Sequence, residues 1–423
     1  MAVKASTRRQ FLGLAAGAAT GLAWPRQVLA QARRFADLSA DQDLWDAVRQ
    51  AFLIPDDRVY LNVGTLGPQP SVVVDAVCEH TRRVATTFPP GIDWDSLKAR
   101  LGAFIGCDPA GLVFPRNTTE GMNFVANGLE LNNGDEILTT DHEHIGGLCP
   151  WQLVAKRRGL VLRQLKLPVP ARSADAIVAI FRDAITPVTR VISVSHVTFT
   201  TGLVMPVADI VRLCRQHGII AVVDGAHPPG MMRIDVNALD PDFYASSPHK
   251  WLLAPQGTGF LWMREEWRTR LWPTLASGDW DDTTLGAQRF NHLGTFDESR
   301  LAGLDAALRF QEAIGIDRIE ARSRELRRRL IERLAGNPRI HIVSPTDDLL
   351  GAGMVSFHVD GMASLELQKR LSDIEADGRR VSVRTRVIGE YDYGWMRLSP
   401  HIYNTVGEID LVAGLIGRLA AGG

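Results

Sequence analysis

The sequence has only four cysteines in 423 residues, and no two of them form a CxxC pair. This scarcity excludes a disulfide-stapled scaffold, and the spacing predicts no zinc site and no other metal site. An excess of charge is also missing, because 47 lysines and arginines balance 48 aspartates and glutamates. A chain without a basic field is a poor match for nucleic acid, so a small-molecule ligand is favoured.

The N-terminal apolar run is short. Residues 11–24 give about fourteen residues, whereas a helix that spans a bilayer needs roughly 20, so no stable membrane anchor is expected. The run follows Arg8 and Arg9 and ends before a small-residue site at Ala30. This pattern resembles a twin-arginine signal, which implies export of a folded protein by the twin-arginine machinery and a periplasmic or otherwise exported location. A soluble amphipathic helix is the alternative, but the run has no polar face.

From about residue 110, short β-rich runs alternate with amphipathic helical stretches. This alternation is typical of βαβ units and a mainly parallel sheet. The clearest unit is a helix at 206–218 followed by a β-branched run at 219–223, which ends at Asp224. In open α/β sheets ligands bind beyond the carboxyl ends of strands, so we expect chemistry in the loop after Asp224.

Further strands are predicted at 191–195 and 258–263. Beyond about residue 301 the pattern changes to two helices and a smaller α+β unit, which includes a strand at 354–359 and a helix at 364–371. No low-complexity linker separates the two parts, so tight packing between them is expected.

Lys250 lies in the most informative stretch of the sequence. His249 and two serines precede it, and a Pro/Gly-rich loop follows. Burial there would lower the pKa of the amine and favour Schiff-base formation. Lys250 also follows Asp224 by 26 residues. A strand-end carboxylate is the group that keeps the pyridine nitrogen of pyridoxal phosphate protonated, so the pair predicts that cofactor.

Three more segments fit the same cofactor. Thr118 and Thr119 lie where a predicted strand meets a helix, so their hydroxyls and amides are predicted to bind a phosphate. His144 is predicted to stack on the cofactor ring. Thr295, after Gly294, is a further predicted phosphate donor.

With these motifs in order, the chain resembles the class V aminotransferase family of pyridoxal-phosphate enzymes, which includes cysteine desulfurases, kynureninase and isopenicillin N epimerase. The resemblance extends from about residue 60 to the C-terminus and is greatest to the isopenicillin N epimerase-like subgroup. It implies the α/β fold of fold type I pyridoxal-phosphate enzymes, similar to aspartate aminotransferase. It also implies a homodimer. The predicted divisions are a signal peptide, an N-terminal arm that joins the small domain, a large cofactor-binding domain and a small C-terminal domain: residues 1–30, 31–69, 70–300 and 301–423.

The resemblance also assigns roles to individual residues. It makes Lys250, Asp224 and His144 the predicted catalytic residues: the cofactor-linked lysine, the partner of the pyridine nitrogen and the stacking ring. His227 is placed beside the phenolic oxygen of the cofactor. The resemblance assigns phosphate contacts to four residues, the last of which the neighbouring subunit would supply: Thr119, Ser247, His249 and Thr295.

Substrate recognition is predicted at arginines. Arg397 matches the arginine that holds a substrate α-carboxylate, where a planar guanidinium binds two oxygens. Arg384 and Arg386 are further candidates, for which a solvated basic face is the alternative. Phe199 stands where several relatives carry an asparagine that contacts the cofactor.

The predicted function is an exported enzyme that acts on an amino acid or related amine through Lys250. Transamination is the first choice because it needs one acid/base residue on one face of the substrate. Epimerisation, which needs a second proton donor, and β-elimination by a C–S lyase are alternatives. A cysteine desulfurase is disfavoured because residues 387–391 contain no cysteine. A non-catalytic exported binding protein is the alternative of another class, and the joint presence of Lys250, Asp224 and Arg397 argues against it.

Overall fold

The computed structural model describes four continuous stretches and two isolated residues: 41–87, 91–291, 294–376, 378–422, Phe35 and Leu38. The predicted signal peptide at residues 1–30 lies outside the described residues. Within the described stretches, no helix combines the length and the apolar character that crossing a membrane requires.

Strands and helices are numbered in chain order. The strands are β1 Arg58–Tyr60, β2 Leu112–Val113, β3 Glu136–Thr140, β4 Val161–Leu165, β5 Thr189–Ser195, β6 Ile220–Asp224, β7 Phe243–Ser246, β8 Phe260–Met263, β9 Ile340–Ile342, β10 Val355–Val359, β11 Ile374–Ala376, β12 Arg379–Arg384, β13 Arg386–Ile388 and β14 Trp395–Leu398. The α-helices are α1 Asp41–Arg49, α2 Ser71–Thr86, α3 Trp94–Ile105, α4 Thr118–Gly128, α5 Ile145–Arg158, α6 Ala174–Ala184, α7 Val207–His217, α8 Val236–Leu239, α9 Trp267–Arg270, α10 Ser299–Ile314, α11 Ile316–Ala335, α12 Ser364–Leu371 and α13 Val406–Ala420.

The largest sheet has seven strands in the order β2-β8-β7-β6-β5-β3-β4. The five strands from β7 to β4 are parallel, and β8 runs antiparallel to both β7 and β2. The prediction of a mainly parallel sheet is therefore confirmed. Strand β6 reads as a continuous apolar run because alternate residues enter two different cores, with Val223 in one and Val222 in the other.

The carboxyl ends of the parallel strands meet at one edge of this sheet. Ser195, the last residue of β5, pairs in register with Asp224, the last residue of β6, and Asp224 pairs with Ala245 of β7. Lys250 follows β7 by a few residues and is buried. The sheet therefore brings Asp224 and Lys250 to the edge where α/β folds bind ligands.

The C-terminal part contains two smaller sheets. One is antiparallel with the order β13-β14-β10-β9, and the other has the order β1-β12-β11, in which β1 pairs with β12 in parallel. Helices α11 and α13 pack a third core against them. Helix α10, which the prediction assigned to the small domain, instead packs on α2, and its Leu304 and Leu308 join the core of the large sheet.

Candidate active site

A cavity of about 280 Å³ lies at the carboxyl edge of the large sheet. Ten of the site residues predicted from the sequence line it: Thr118, Thr119, His144, Asp224, His227, Ser247, His249, Lys250, Arg386 and Arg397. Two others do not. Thr295 is exposed to solvent in this chain, and Arg384 is exposed on β12, where it pairs with Tyr60 of β1.

One end of the cavity is built to hold an anion. Helix α4 begins there, and its first backbone amide, that of Thr118, donates to Ser247 Oγ at 3.0 Å. The hydroxyls of Thr118 and Ser247 are 2.7 Å apart. Within the stretches that the structure describes, the buried Nδ1 of His249 has no hydrogen-bond partner. A helix N-terminus, two hydroxyls and an unpartnered imidazole nitrogen together match the needs of a phosphate.

Two glycines allow the start of helix α5 to lie close to two polar residues of the cavity wall. A Cβ at Gly146 would lie 2.3 Å from Thr119 Oγ1, and a Cβ at Gly147 would lie 2.8 Å from Asp224 Oδ2. Both glycines belong to the first turn of α5. Their lack of a side chain therefore allows the threonine and the carboxylate to lie close against the start of α5.

Asp224 is a buried carboxylate that faces the cavity. Its Oδ1 accepts a hydrogen bond from the amide of Ala226 at 2.9 Å. Burial raises the pKa of Asp224, and the nearby positive charge of Lys250 opposes that rise. A buried carboxylate in this position can hold a protonated ring nitrogen, because the cation would replace the solvation that the carboxylate has lost.

Lys250 and His227 form the reactive centre of the cavity. Burial lowers the pKa of Lys250 to about 8, although Asp224 acts in the opposite direction. The indole of Trp251 donates to His227 Nδ1 at 3.0 Å, which leaves the hydrogen of the neutral ring on Nε2. Because His227 Nε2 lies 3.4 Å from Lys250 Nζ, that N–H can donate to the amine only when the amine is neutral. The arrangement therefore favours a neutral Lys250.

His144 presents a neutral ring to the cavity. Its Nδ1 accepts from the amide of Gly146 at 3.1 Å and so caps helix α5. Burial, together with the charges of Lys250 and Arg397, lowers the pKa of His144 to about 3. The ring lies perpendicular to that of Phe199, with the ring centroids 5.2 Å apart. The cap fixes the imidazole, and its neutrality suits a stacking role.

Arg397 is a buried cation that forms no ion pair with any acidic residue in the described part of the chain. Its side chain is 1% exposed, and it donates to the carbonyl of Phe199 at 2.8 Å and to Thr65 Oγ1 at 3.1 Å. Its Nε has no hydrogen-bond partner among the described residues. Burial lowers the pKa of Arg397 to about 9, and the charge of Arg386 acts in the same direction. A carboxylate that binds beside such a guanidinium would stabilise it through charge-assisted hydrogen bonds.

Sequence reasoning missed several residues of the cavity. Gly64 and Thr65 come from the segment after β1, and no local motif singles them out. Ser195 lies at the end of a predicted strand, which was a usable signal. Its hydroxyl donates to Glu143 Oε2 at 2.6 Å, and burial raises the pKa of Glu143 to about 7.

Comparisons with known proteins agree with this geometry. The family model described as Aminotransferase class-V matches residues 93–412. The chain is 33% identical over 399 residues to isopenicillin N epimerase of Amycolatopsis lactamdurans, with 89% of this chain and 98% of that enzyme covered.

Solved structures show the same fold. The apo structure of cysteine desulfurase from Thermococcus onnurineus NA1 matches with a TM-score of 0.79 and 27% identity, covering 89% of this chain and 98% of that one. A structure of C-DES with glycine covalently linked to its pyridoxal-phosphate cofactor matches with a TM-score of 0.77 and 27% identity, covering 88% and 98%. The predicted fold class, that of fold type I pyridoxal-phosphate enzymes, is confirmed.

Proposed function

The chain belongs to the class-V aminotransferase family, and on that basis we propose that it is an exported aminotransferase acting on the α-carbon of an amino acid. One observation carries the proposal. The buried guanidinium of Arg397, which no described acidic residue neutralises, lines the same cavity as the low-pKa amine of Lys250. An amino acid supplies the carboxylate for the first group and the α-carbon proton for the second.

Pyridoxal phosphate is the cofactor, and the residues of the cavity fit it. The start of α4, Ser247 and the unpartnered Nδ1 of His249 would hold the phosphate. Asp224 would hold the ring nitrogen, and His144 would lie on the ring face. When bound, pyridoxal phosphate supplies an electron sink that stabilises negative charge on the substrate α-carbon.

The protein residues orient the substrate and move its proton. Arg397 binds the carboxylate and so fixes the α-carbon relative to Lys250. Lys250 Nζ is the base that takes the α-proton, and its pKa of about 8 keeps an appreciable neutral fraction near neutral pH. His227 Nε2–H orients the amine lone pair.

Transamination is favoured because the cavity offers one clear base. His144, whose pKa is lowered to about 3, is unsuited to hold a proton for a second face of the substrate. Epimerisation is the second candidate, supported by the 33% identity to an isopenicillin N epimerase. β-Elimination with C–S cleavage is a third. We disfavour cysteine desulfuration, because no cysteine is among the described residues that line the cavity.

We also propose a homodimer and export through the twin-arginine pathway. Solvent exposure of Thr295 supports the first, because a residue outside this chain's own cavity is free to contact the neighbouring subunit's cofactor. The Arg8-Arg9 pair and the short apolar run support the second. Sedimentation of the purified protein tests the dimer.

Product analysis tests the reaction itself. Purified holoenzyme is incubated with a panel of L-amino acids and an α-keto acid acceptor, and the mixture is analysed by chiral chromatography and mass spectrometry. A new keto acid and a new amino acid support transamination, whereas the D-enantiomer indicates epimerisation. Pyruvate with ammonia or sulfide indicates elimination. A protein that binds amino acids and converts none of them is the binding protein of the other class.

A further inference from the structure

Two arginines face each other across strands at the wall of the cavity. Arg386 of β13 and Arg397 of β14 are direct partners in an antiparallel pair, and both line the cavity. Directly opposed side chains lie on the same face of a sheet, with Cβ atoms about 4.5–5.5 Å apart, and like charges in this arrangement repel. The cavity therefore carries a cationic pair that an anion would stabilise.

The two arginines differ in how they are neutralised. Arg397 is buried and has no acidic partner among the residues that the structure describes, whereas Arg386 forms an ion pair with Glu390 Oε1 and its side chain is 37% exposed. The second oxygen of Glu390, Oε2, is buried and has no hydrogen-bond partner in the described stretches. Glu390 thus pairs with Arg386 alone, and only one of its two carboxylate oxygens is used.

Because of this difference, the two arginines can bind two different carboxylates. A substrate α-carboxylate neutralises Arg397, which leaves Arg386 with an internal partner four residues away in the chain. Ion pairs that solvent reaches contribute little to stability, and the side chains of Arg386 and Glu390 are 37% and 18% exposed, so a ligand carboxylate can replace Glu390. Arg386 is then the group on the cavity wall that is free to exchange one carboxylate for another.

Resting on the proposed function, we propose that Arg386 forms a second anion subsite for the side-chain carboxylate of the substrate. The preferred substrates are then dicarboxylic amino acids, and Glu390 is a built-in competitor that occupies the subsite until such a substrate binds. This assigns Arg386 to specificity and Arg397 to the α-carboxylate.

Binding of two unreactive acids tests the subsite. Glutarate and pentanoate have the same five-carbon chain but two carboxylates and one, so calorimetric titration of the holoenzyme with each isolates the second charge. We expect glutarate to bind at least about tenfold more tightly, the effect of one charge-assisted pair. A symmetric diacid can bind in two orientations, which alone makes its binding about twofold tighter. A ratio of the two dissociation constants near two would therefore overturn the subsite.

Substitutions at Arg386 and Glu390 should change the preference for glutarate over pentanoate in opposite directions. Arg386→Ala should lower the glutarate preference by about fivefold or more, and Arg386→Lys should restore part of it. Glu390→Gln should raise the preference, because it removes the competitor. Arg380→Ala is the matched control: it removes an exposed arginine paired with Asp373, and it should keep the wild-type preference. The absorbance of bound cofactor confirms that each variant is folded.

Two results would overturn the proposal. Equal losses of glutarate and pentanoate binding in Arg386→Ala would mean that both arginines hold a single carboxylate. A lower preference in Glu390→Gln would mean that the glutamate supports the subsite and does not compete for it.

The proposed function is tested separately, by deuterium incorporation at the α-carbon of L-glutamate and the isosteric L-glutamine. Exchange without preference for glutamate overturns the subsite and leaves the function standing. Diacid preference in binding without any exchange overturns the function and leaves the subsite standing.

Discussion

The lowered pKa of the buried Lys250 amine predicts a measurable effect on the free energy of unfolding. Its pKa falls from the ordinary 10.5 to about 8 in the folded chain, mainly through burial. Below pH 8 the folded protein therefore carries a buried ammonium that the unfolded chain solvates. Each pH unit corresponds to about 1.4 kcal/mol, so the difference of about 2.5 units gives a penalty of roughly 3 kcal/mol.

The sign of this pH dependence follows from the number of protons that the folded and unfolded states bind. Between pH 8 and 10.5 the unfolded state binds the proton and the folded state does not, so the free energy of unfolding rises with pH in this window. Lys250→Met removes the penalty. We expect the cofactor-free variant to be more stable than the cofactor-free wild type at pH 7 by roughly 3 kcal/mol, with the difference shrinking toward pH 10.5.

Urea unfolding at pH 7, 8, 9 and 10 measures this difference. The control is Lys166→Met, which replaces an exposed lysine and should follow the wild-type curve. A Lys250→Met curve that runs parallel to the wild type across the whole range would refute the reasoning, because the pKa of Lys250 would then be the same in the folded and unfolded chain.

Three further outcomes are expected. Arg397→Ala should lower kcat/KM about 10- to 150-fold for an amino acid, from the loss of a charge-assisted pair of about 1.5–3 kcal/mol, and much less for the matched decarboxylated amine; equal losses would contradict a recognition role. Gly146→Ala should weaken cofactor binding in equilibrium dialysis, since its Cβ would lie 2.3 Å from Thr119 Oγ1; unchanged affinity would contradict the phosphate assignment. Replacing Arg8 and Arg9 by lysine should keep the protein in the cytoplasm by fractionation, and normal export would count against the twin-arginine signal.

Local pattern was enough to predict the elements that carry Asp224. The apolar face of α7, at Val207–His217, and the β-branched run of β6 follow directly from side-chain periodicity. Helix α12, at Ser364–Leu371, has the predicted bounds. The strand predicted at 258–263 begins two residues late in the structure. Gly259, just before the strand, packs so close to the backbone of Asn117 that a Cβ would lie 2.5 Å from its amide nitrogen.

The parts that depend on long-range pairing could not be predicted. The opposition of Arg386 and Arg397 comes from the register of β13 with β14, which no local spacing shows. Thr65 reaches the cavity only because the segment after β1 passes over Lys250: the amide of Gly67 donates to the carbonyl of His249 at 2.8 Å.

Strand pairing also determines which of the predicted residues lie outside the cavity. Arg384 and Arg386 are two positions apart in the sequence, and only the second lines the cavity, because the first belongs to β12 and the second to β13. The sequence pattern alone predicts the same role for both arginines, and only the strand pairing shows which of them lines the cavity.

The central claim is that Lys250 moves the α-proton of a bound amino acid. Incubating the wild-type holoenzyme with amino acids in D₂O and measuring the α-carbon by mass spectrometry tests it most directly. We predict deuterium at the α-carbon with the wild type and a loss of exchange by orders of magnitude with Lys250→Ala. Absence of exchange in the wild type across the amino-acid panel, or equal exchange by the variant, would contradict the account.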